Sequence, residues 1–355
     1  MAIEPFQLER WFARYEHDAD IMLAESGVRP LPPDRVDYQP DTLGYVIPTN
    51  GDPTFRAALG ERYGRSADEV LFTCGTQEAN FLTCWALLAD GGHAVTVTPT
   101  YQSLASVPAM FGEVTRVPLD PPDWRLDPDA VAAAIRPDTK LIVFVNPNNP
   151  TGRLHDPETV RALYDLAADA DAYLLCDEVY RMLAPDPLAP VASLGPHGLS
   201  TAGLSKAYGL AGARFGWLCG ARSVVEAAWE RKDYTTISPS PIGQHLARQA
   251  LVDEEETILA EHRSLAADHR DRVESLLADH DLDWHRPTGV NGFVRLPDGT
   301  DSRAFCRDLV EEESVVLAPG AVFDVEGYVR IGFGCEPDVL EEGLDRVGRF
   351  LARRT

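Results

Sequence analysis

Lysine is almost missing from this chain of 355 residues: it occurs only at Lys140, Lys206 and Lys232, leaving 29 arginines among the 32 basic residues. Any chemistry that needs a primary amine therefore has three candidates. Basic charge as a whole is short, with 32 Lys and Arg against 56 Asp and Glu, and the formal net charge of −24 repels phosphate backbones and anionic membrane surfaces. Neither nucleic acid nor a membrane is expected as a partner. No run of about 18 apolar residues occurs. The first residues, with Glu4, Glu9 and Trp11, show neither the basic start nor the apolar core of an export signal, so the expected location is the cytoplasm. The six cysteines form no CxxC pair and no Cys/His ligand spacing, which predicts buried, reduced thiols and no metal site.

What is present is a chain that can build a core. Hydrophobic residues make up 45% and charged residues 25%, and the length suggests two domains, or one large domain with a smaller one against it. The acid excess with little lysine fits a surface adapted to high salt, where carboxylates hold water; arginine in place of lysine also fits a GC-rich genome.

Between residues 65 and 220, short apolar runs alternate with longer amphipathic stretches. Val70–Thr73, Ala94–Thr98, Leu141–Val145, Ala172–Cys176 and Phe215–Cys219 read as strands. Gln77–Leu88, Pro128–Ile135 and Pro157–Ala168 read as helices, the last two opening on a proline after a capping aspartate. This alternation predicts an α/β fold, a mostly parallel sheet between helices with its site at the strand C-terminal ends. From about residue 250, a long polar helix (Glu254–Ala278), Val290–Leu296, a helix at Ser302–Glu312, strands near Val315–Leu317 and Tyr328–Phe333, and a helix at Pro337–Ala352 predict a smaller α+β domain. The expected division is 36–250 for the large domain, with 1–35 and 251–355 forming the small one.

Three strand ends carry reactive residues. Asn146-Pro147-Asn148-Asn149-Pro150-Thr151-Gly152 is stiffened by two prolines, so an Asn amide can be held rigidly at the sheet edge. Asp177-Glu178-Val179-Tyr180 puts Asp177 at the carboxyl edge of the next strand, as a functional carboxylate or as a helix cap. Ser205-Lys206 lies in a run of small residues ending at Arg214, a weakly charged setting that favours a neutral, nucleophilic amine. Lys140 and Lys232 have charged or polar neighbours and read as solvated surface residues.

Together and in this order, the three segments resemble the NPxNPTG, D-x-x-Y and SK-x-x-G-L-x-G-x-R-x-G elements of the class I/II aminotransferase family of fold-type I pyridoxal-phosphate enzymes. The resemblance runs from about residue 40 to 335 and implies a mostly parallel, seven-stranded-type sheet in the large domain and pyridoxal 5'-phosphate as cofactor. It implies that Lys206 forms the Schiff base with the cofactor aldehyde and then moves protons, and that Asp177 pairs with the pyridine nitrogen. Asn149 and Tyr180 would hydrogen-bond the phenolate oxygen. Gly75, Thr76 and Gln77, at a strand-to-helix turn, would join Ser205 and Arg214 around the phosphate. Tyr101 would stack on the ring and Arg330 would clamp the substrate α-carboxylate. Tyr45 would reach the phosphate of a neighbouring subunit, implying a homodimer. Three residues before the lysine, where the family often has serine, stands Gly203.

Leu8-Glu9-Arg10-Trp11, Glu25-Ser26-Gly27-Val28, the stretch 231–241 and the stretch 316–323 further resemble the capreomycidine synthase-like branch, which by analogy places Gly27 beside the substrate carboxylate. The expected function is an aminotransferase that moves the amino group of an L-amino acid to a 2-oxo acid. A lyase or cyclase on the same cofactor is the alternative. A dicarboxylate substrate would need a second cation, for which Arg10, Arg14, Arg29 and Arg231 are candidates.

Overall fold

The structure, a computed structural model, describes residues 3–40 and 42–354. Its centre is a seven-stranded sheet. The strands of the chain, in order, are β1 (Ile21–Met22), β2 (Val70–Thr73), β3 (His93–Thr98), β4 (Glu113–Pro118), β5 (Thr139–Val145), β6 (Tyr173–Asp177), β7 (Gly198–Gly203), β8 (Gly216–Cys219), β9 (Asp283–Trp284), β10 (Asn291–Arg295), β11 (Val315–Val316), β12 (Ala318–Pro319) and β13 (Tyr328–Gly332). The large sheet has the order β2-β8-β7-β6-β5-β3-β4, parallel from β7 through to β4, with β8 antiparallel to both β2 and β7.

The central strands are continuous apolar runs because helices cover both faces. Leu141, Ile142, Val143, Leu174 and Leu175 are fully buried. Three covering helices begin on an Asp-Pro pair. The side chains of Asp52, Asp127 and Asp156 accept hydrogen bonds from the backbone N–H of Phe55, Asp129 and Thr159, and the following proline sits where no donor is needed. Each such cap contributes about 1 kcal/mol.

Two strands of this sheet lie outside the predicted set. β4 is an edge strand with exposed residues on both faces, Glu113 on one and Arg116 on the other, so its hydrophobic alternation is weak. β7 is built from glycine, serine, threonine and alanine, small residues with little strand signal that pack in the middle of the sheet. The second sheet is antiparallel, order β12-β13-β10-β9, and β1 pairs in parallel with β11 through Ile21 opposite Val315. Trp11 of the helix Gln7–Tyr15 donates its indole N–H to Leu317 O at 2.8 Å, a second tie between the first residues and the C-terminal region. Among the described residues no helix is long and apolar enough to cross a membrane.

Candidate active site

The carboxyl ends of β5, β6 and β7 meet the start of the helix Thr76–Leu88 around a cavity of about 210 Å³. Its walls include Thr76, Gln77, Tyr101, Asn149, Asp177, Tyr180, Ser205, Lys206 and Arg214, so nine of the expected residues converge there. A larger cavity, about 440 Å³, lies beside Val179 and holds the Glu178–Arg181 ion pair, but no lysine reaches it.

Asp177 ends β6 and is buried. Its Oδ2 accepts from Asn80 Nδ2 at 2.8 Å and its Oδ1 from Val179 N at 3.1 Å, while Asn80 Oδ1 accepts from Thr201 Oγ1 at 2.6 Å. Burial pushes the carboxyl up to about 6, opposed by these donors and by the charge of Lys206. The neighbouring Glu178 faces away, accepting from Val191 N at 2.7 Å and Ser200 Oγ at 2.8 Å. Only one of the two adjacent carboxylates serves this cavity.

The three asparagines of the proline-rich loop divide their work. Asn146 bonds both backbone groups of His155, and Asn148 holds Thr151 and donates to Pro99 O, so both staple the loop. Asn149 is the one that lines the cavity, its Oδ1 accepting from Arg330 Nη1 at 2.8 Å. Arg330, from β13, is 1% exposed; its Nη2 donates to Ala24 O at 2.6 Å, its guanidinium lies 5.1 Å from the centre of the Phe323 ring, and its Nε has no partner among the described residues. Burial holds this guanidinium below its ordinary value, against the opposing influence of Tyr180, Glu25, Tyr101 and Glu9. Tyr180 donates to Ser26 Oγ at 2.8 Å, and Tyr101 to Glu9 Oε1 at 2.9 Å.

Lys206 sits on the loop after β7, its side chain 27% exposed, with Glu25 Oε2 at 3.9 Å from Nζ. Gly27 presses against it: a Cβ there would stand 3.3 Å from Lys206 Cδ. At the opposite end of the cavity Gly75 precedes the helix with φ +77°, and a Cβ on it would lie 2.8 Å from Arg214 Nη2. Glycine is what lets the arginine lie across this turn. Thr76 Oγ1 is buried without a partner among the described residues. A Cβ at Gly203 would be 2.6 Å from that hydroxyl, which explains why no serine stands at this position.

Some expected residues lie elsewhere. Tyr45 is 67% exposed, in a separate depression with Pro241, Gln244 and Arg248, and does not reach the cavity within one chain. Lys140 is exposed, as expected. Lys232, expected on the surface, is instead 0% exposed: it ends the helix Arg222–Lys232, which packs against the helix Thr76–Leu88. Its neighbour Asp233 is exposed and Arg231 half-buried, while its own side chain points in, and burial lowers its amine to about 8. Of the six cysteines, all free, Cys84, Cys176, Cys219 and Cys306 are buried and Cys74 and Cys335 half-buried. Asn80 and Ser26 were not legible as site residues. Asn80 lies one helical turn after Thr76, on the same face, and that spacing is the signal that could have found it.

The donor set suits pyridoxal 5'-phosphate. The unpartnered Thr76 hydroxyl, Ser205 and Arg214 offer donors for a phosphate, the buried Asp177 carboxylate suits a protonated ring nitrogen, and the Lys206 amine suits an aldehyde. Comparison with known proteins agrees. Residues 35–347 match the family described as aminotransferase class I and II. Capreomycidine synthase of Streptomyces vinaceus is 34% identical over 312 residues, covering 86% of this chain and 80% of that protein. The aspartate/prephenate aminotransferase of Thermus thermophilus is 31% identical over 330 residues, covering 86% and 83%. A pyridoxal-phosphate-dependent aminotransferase from Streptococcus suis superposes with a TM-score of 0.94 at 28% identity, over 99% of both chains. This chain thus belongs to the class I and II aminotransferases, fold-type I enzymes whose cofactor is pyridoxal 5'-phosphate.

Proposed function

We propose that the protein transfers the amino group of an L-amino acid to a 2-oxo acid, and the observation that carries this reading is one cavity holding the Lys206 amine and the buried Asp177 carboxylate. Bound there, the cofactor supplies an electron-withdrawing ring that stabilises negative charge at the substrate Cα. Asp177 keeps the proton on the ring nitrogen, which maintains that withdrawal, and Asn80 and Val179 N hold the carboxylate in place. Arg330, oriented by Asn149 and Ala24 O, receives the α-carboxylate. Asn149 Nδ2 would donate to the ring oxygen, as would the Tyr180 hydroxyl once released from Ser26 Oγ, and Tyr101 would lie against the ring and exclude water. Lys206 Nζ would take the proton from the substrate Cα, and its loop position beside Gly27 gives the amine room to swing. Thr76, Gln77, Ser205 and Arg214 hold the phosphate.

The likeness to capreomycidine synthase favours a second reading, elimination and ring closure on the same cofactor. Supplying the purified protein with pyridoxal 5'-phosphate and a panel of amino acids decides between them. Pyridoxamine phosphate and a 2-oxo acid support amino transfer, whereas ammonia or a cyclised product with unchanged cofactor refutes it.

We further propose a homodimer. Tyr45 stands among Tyr38, Leu43 and Ile47, all more than half exposed, and a partner covering this strip would let Tyr45 complete the partner's phosphate site. Sedimentation at working salt tests it, and a fully active monomer refutes it. The parallel pairing of β1 with β11 supports grouping residues 1–35 with 251–355 as a small domain beside 36–250.

A further inference from the structure

Four consecutive residues, Ala24 to Gly27, each touch a residue of the site. Ala24 O accepts from Arg330 Nη2 at 2.6 Å, Glu25 Oε2 stands 3.9 Å from Lys206 Nζ, Ser26 Oγ accepts from the Tyr180 hydroxyl at 2.8 Å, and Gly27 abuts the Lys206 side chain. The strip is pinned along its length. Gly332 N donates to Leu23 O at 2.7 Å, Val28 N to Lys206 O at 3.3 Å and Arg29 N to Gly334 O at 2.5 Å. A Cβ at Gly332 would lie 1.6 Å from Glu25 O and one at Gly334 2.1 Å from Gly27 O, so glycine at both places is what lets the two segments approach this closely. Of the four residues, Ser26 is the one that lines the cavity, and it is 4% exposed.

Ser26 Oγ and the Tyr180 hydroxyl are each other's one hydrogen-bond partner among the described residues. The tyrosine has a single proton, which it cannot give to Ser26 and to the ring oxygen of the cofactor at once. A serine hydroxyl both accepts and donates, so the bond between them can reverse by rotation of hydrogens alone, with both oxygens in place. We infer that Ser26 is a positioning residue for the reaction: when Tyr180 turns its proton to the ring oxygen, Ser26 gives its own proton to Tyr180 Oη, and the two hydrogen bonds run in series. Bonds in series polarise one another, so the donation from Tyr180 is strengthened in this buried setting. The inference rests on the reading of Tyr180 as a donor to the ring oxygen. Such donation favours the anionic form of that oxygen and lowers the pH at which the proton it shares with the Lys206 nitrogen leaves. A serine that only packed against Tyr180 would leave that pH unchanged.

The test titrates the visible absorption of the holoenzyme against pH, which follows that proton without turnover. Tyr180→Phe should move the midpoint up by about one unit or more. Ser26→Ala should move it up by about half a unit, less because the tyrosine still donates. Added to Tyr180→Phe, Ser26→Ala should change nothing further, because its route runs through the hydroxyl already removed. Ser26→Cys keeps the shape with a weaker donor; it should shift the midpoint in the same direction as Ser26→Ala, and it serves if the alanine variant fails to fold. An unchanged midpoint in the serine variants, with Tyr180→Phe shifted, overturns the relay and leaves Tyr180 in its role. Equal shifts on Ser26→Ala with and without the Tyr180 hydroxyl also overturn it, since Ser26 would then act by another path. So does a rise in KM alone, which would put Ser26 at the substrate carboxylate. An unchanged midpoint in Tyr180→Phe overturns the relay together with the reading of Tyr180 beneath it.

Discussion

Asp177→Asn should stabilise the protein without its cofactor and weaken it with the cofactor bound. In the apoprotein burial pushes the Asp177 carboxyl up to about 6 from an ordinary 3.8, outweighing the donors Asn80 and Val179 N. A folded-state value above the unfolded one means that stability is complete below about pH 4 and is lost as pH rises through about 6. Roughly two units correspond to about 3 kcal/mol at pH 8. Asparagine keeps the shape and cannot ionise. Its amide meets the Asn80 amide head-on unless Asn80 flips, and a flip is possible because the Thr201 hydroxyl can accept as well as donate. The assay is urea denaturation of the apoprotein between pH 4 and 8. The stability of the variant minus that of the wild type should rise with pH by about 3 kcal/mol, and taking the difference cancels the titration of the many surface carboxylates. With pyridoxal 5'-phosphate bound, the protonated ring nitrogen gives Asp177 the cation it lacks, so the variant should bind cofactor more weakly and lose about a hundredfold or more in kcat. A pH-independent difference in the apoprotein, or the same sign with and without cofactor, refutes the reasoning.

Borohydride reduction of the holoenzyme followed by peptide mapping should find the cofactor fixed to Lys206 alone; a label on Lys140 or Lys232 would sink the site assignment. Lys206→Ala should lower turnover by about 10² to 10⁴-fold with the fold intact by circular dichroism. Gly75→Ala forces a side chain into a left-handed turn and against Arg214, so its cofactor dissociation constant should rise by about tenfold or more, an increase that fluorescence titration would detect. At a net charge of −24, melting temperature should climb from ~0.1 to 2 M KCl as the Debye length falls towards about 3 Å, more than salting-out measured with sulfate predicts; a flat profile would leave the arginine bias a genomic trait.

Local chemistry with a fixed offset was legible in the sequence. The Asp-Pro helix starts, the strands that are apolar throughout and the three reactive segments all appear where their residue types require. Direction was not legible: the loop presents three asparagines, and only the folded contacts with His155, Pro99 and Thr151 show that two are structural and one faces the cavity. Lys232 failed for the same reason, since flanking charges describe the neighbours' faces of the helix and not its own. Strands such as β7 escape because small residues pack well only where the surrounding sheet leaves them little room. Tyr45 lies exposed and away from the cavity, and its sequence neighbours carry no signal of that placement.

The charge excess makes the site's cations informative. On a surface so rich in acids most arginines find a carboxylate, as Arg35, Arg62, Arg136 and Arg346 do. Exposed pairs of this kind contribute little to stability. Arg214 and Arg330 have no carboxylate within ion-pair distance among the described residues; they are oriented by neutral acceptors, Ala211 O for one and Asn149 Oδ1 with Ala24 O for the other. Neutral acceptors fix a guanidinium without neutralising it. A buried cation held that way, as Arg330 is, keeps its field for an incoming anion, and the exposed Arg214, tied only to Ala211 O, is likewise left without a counter-charge.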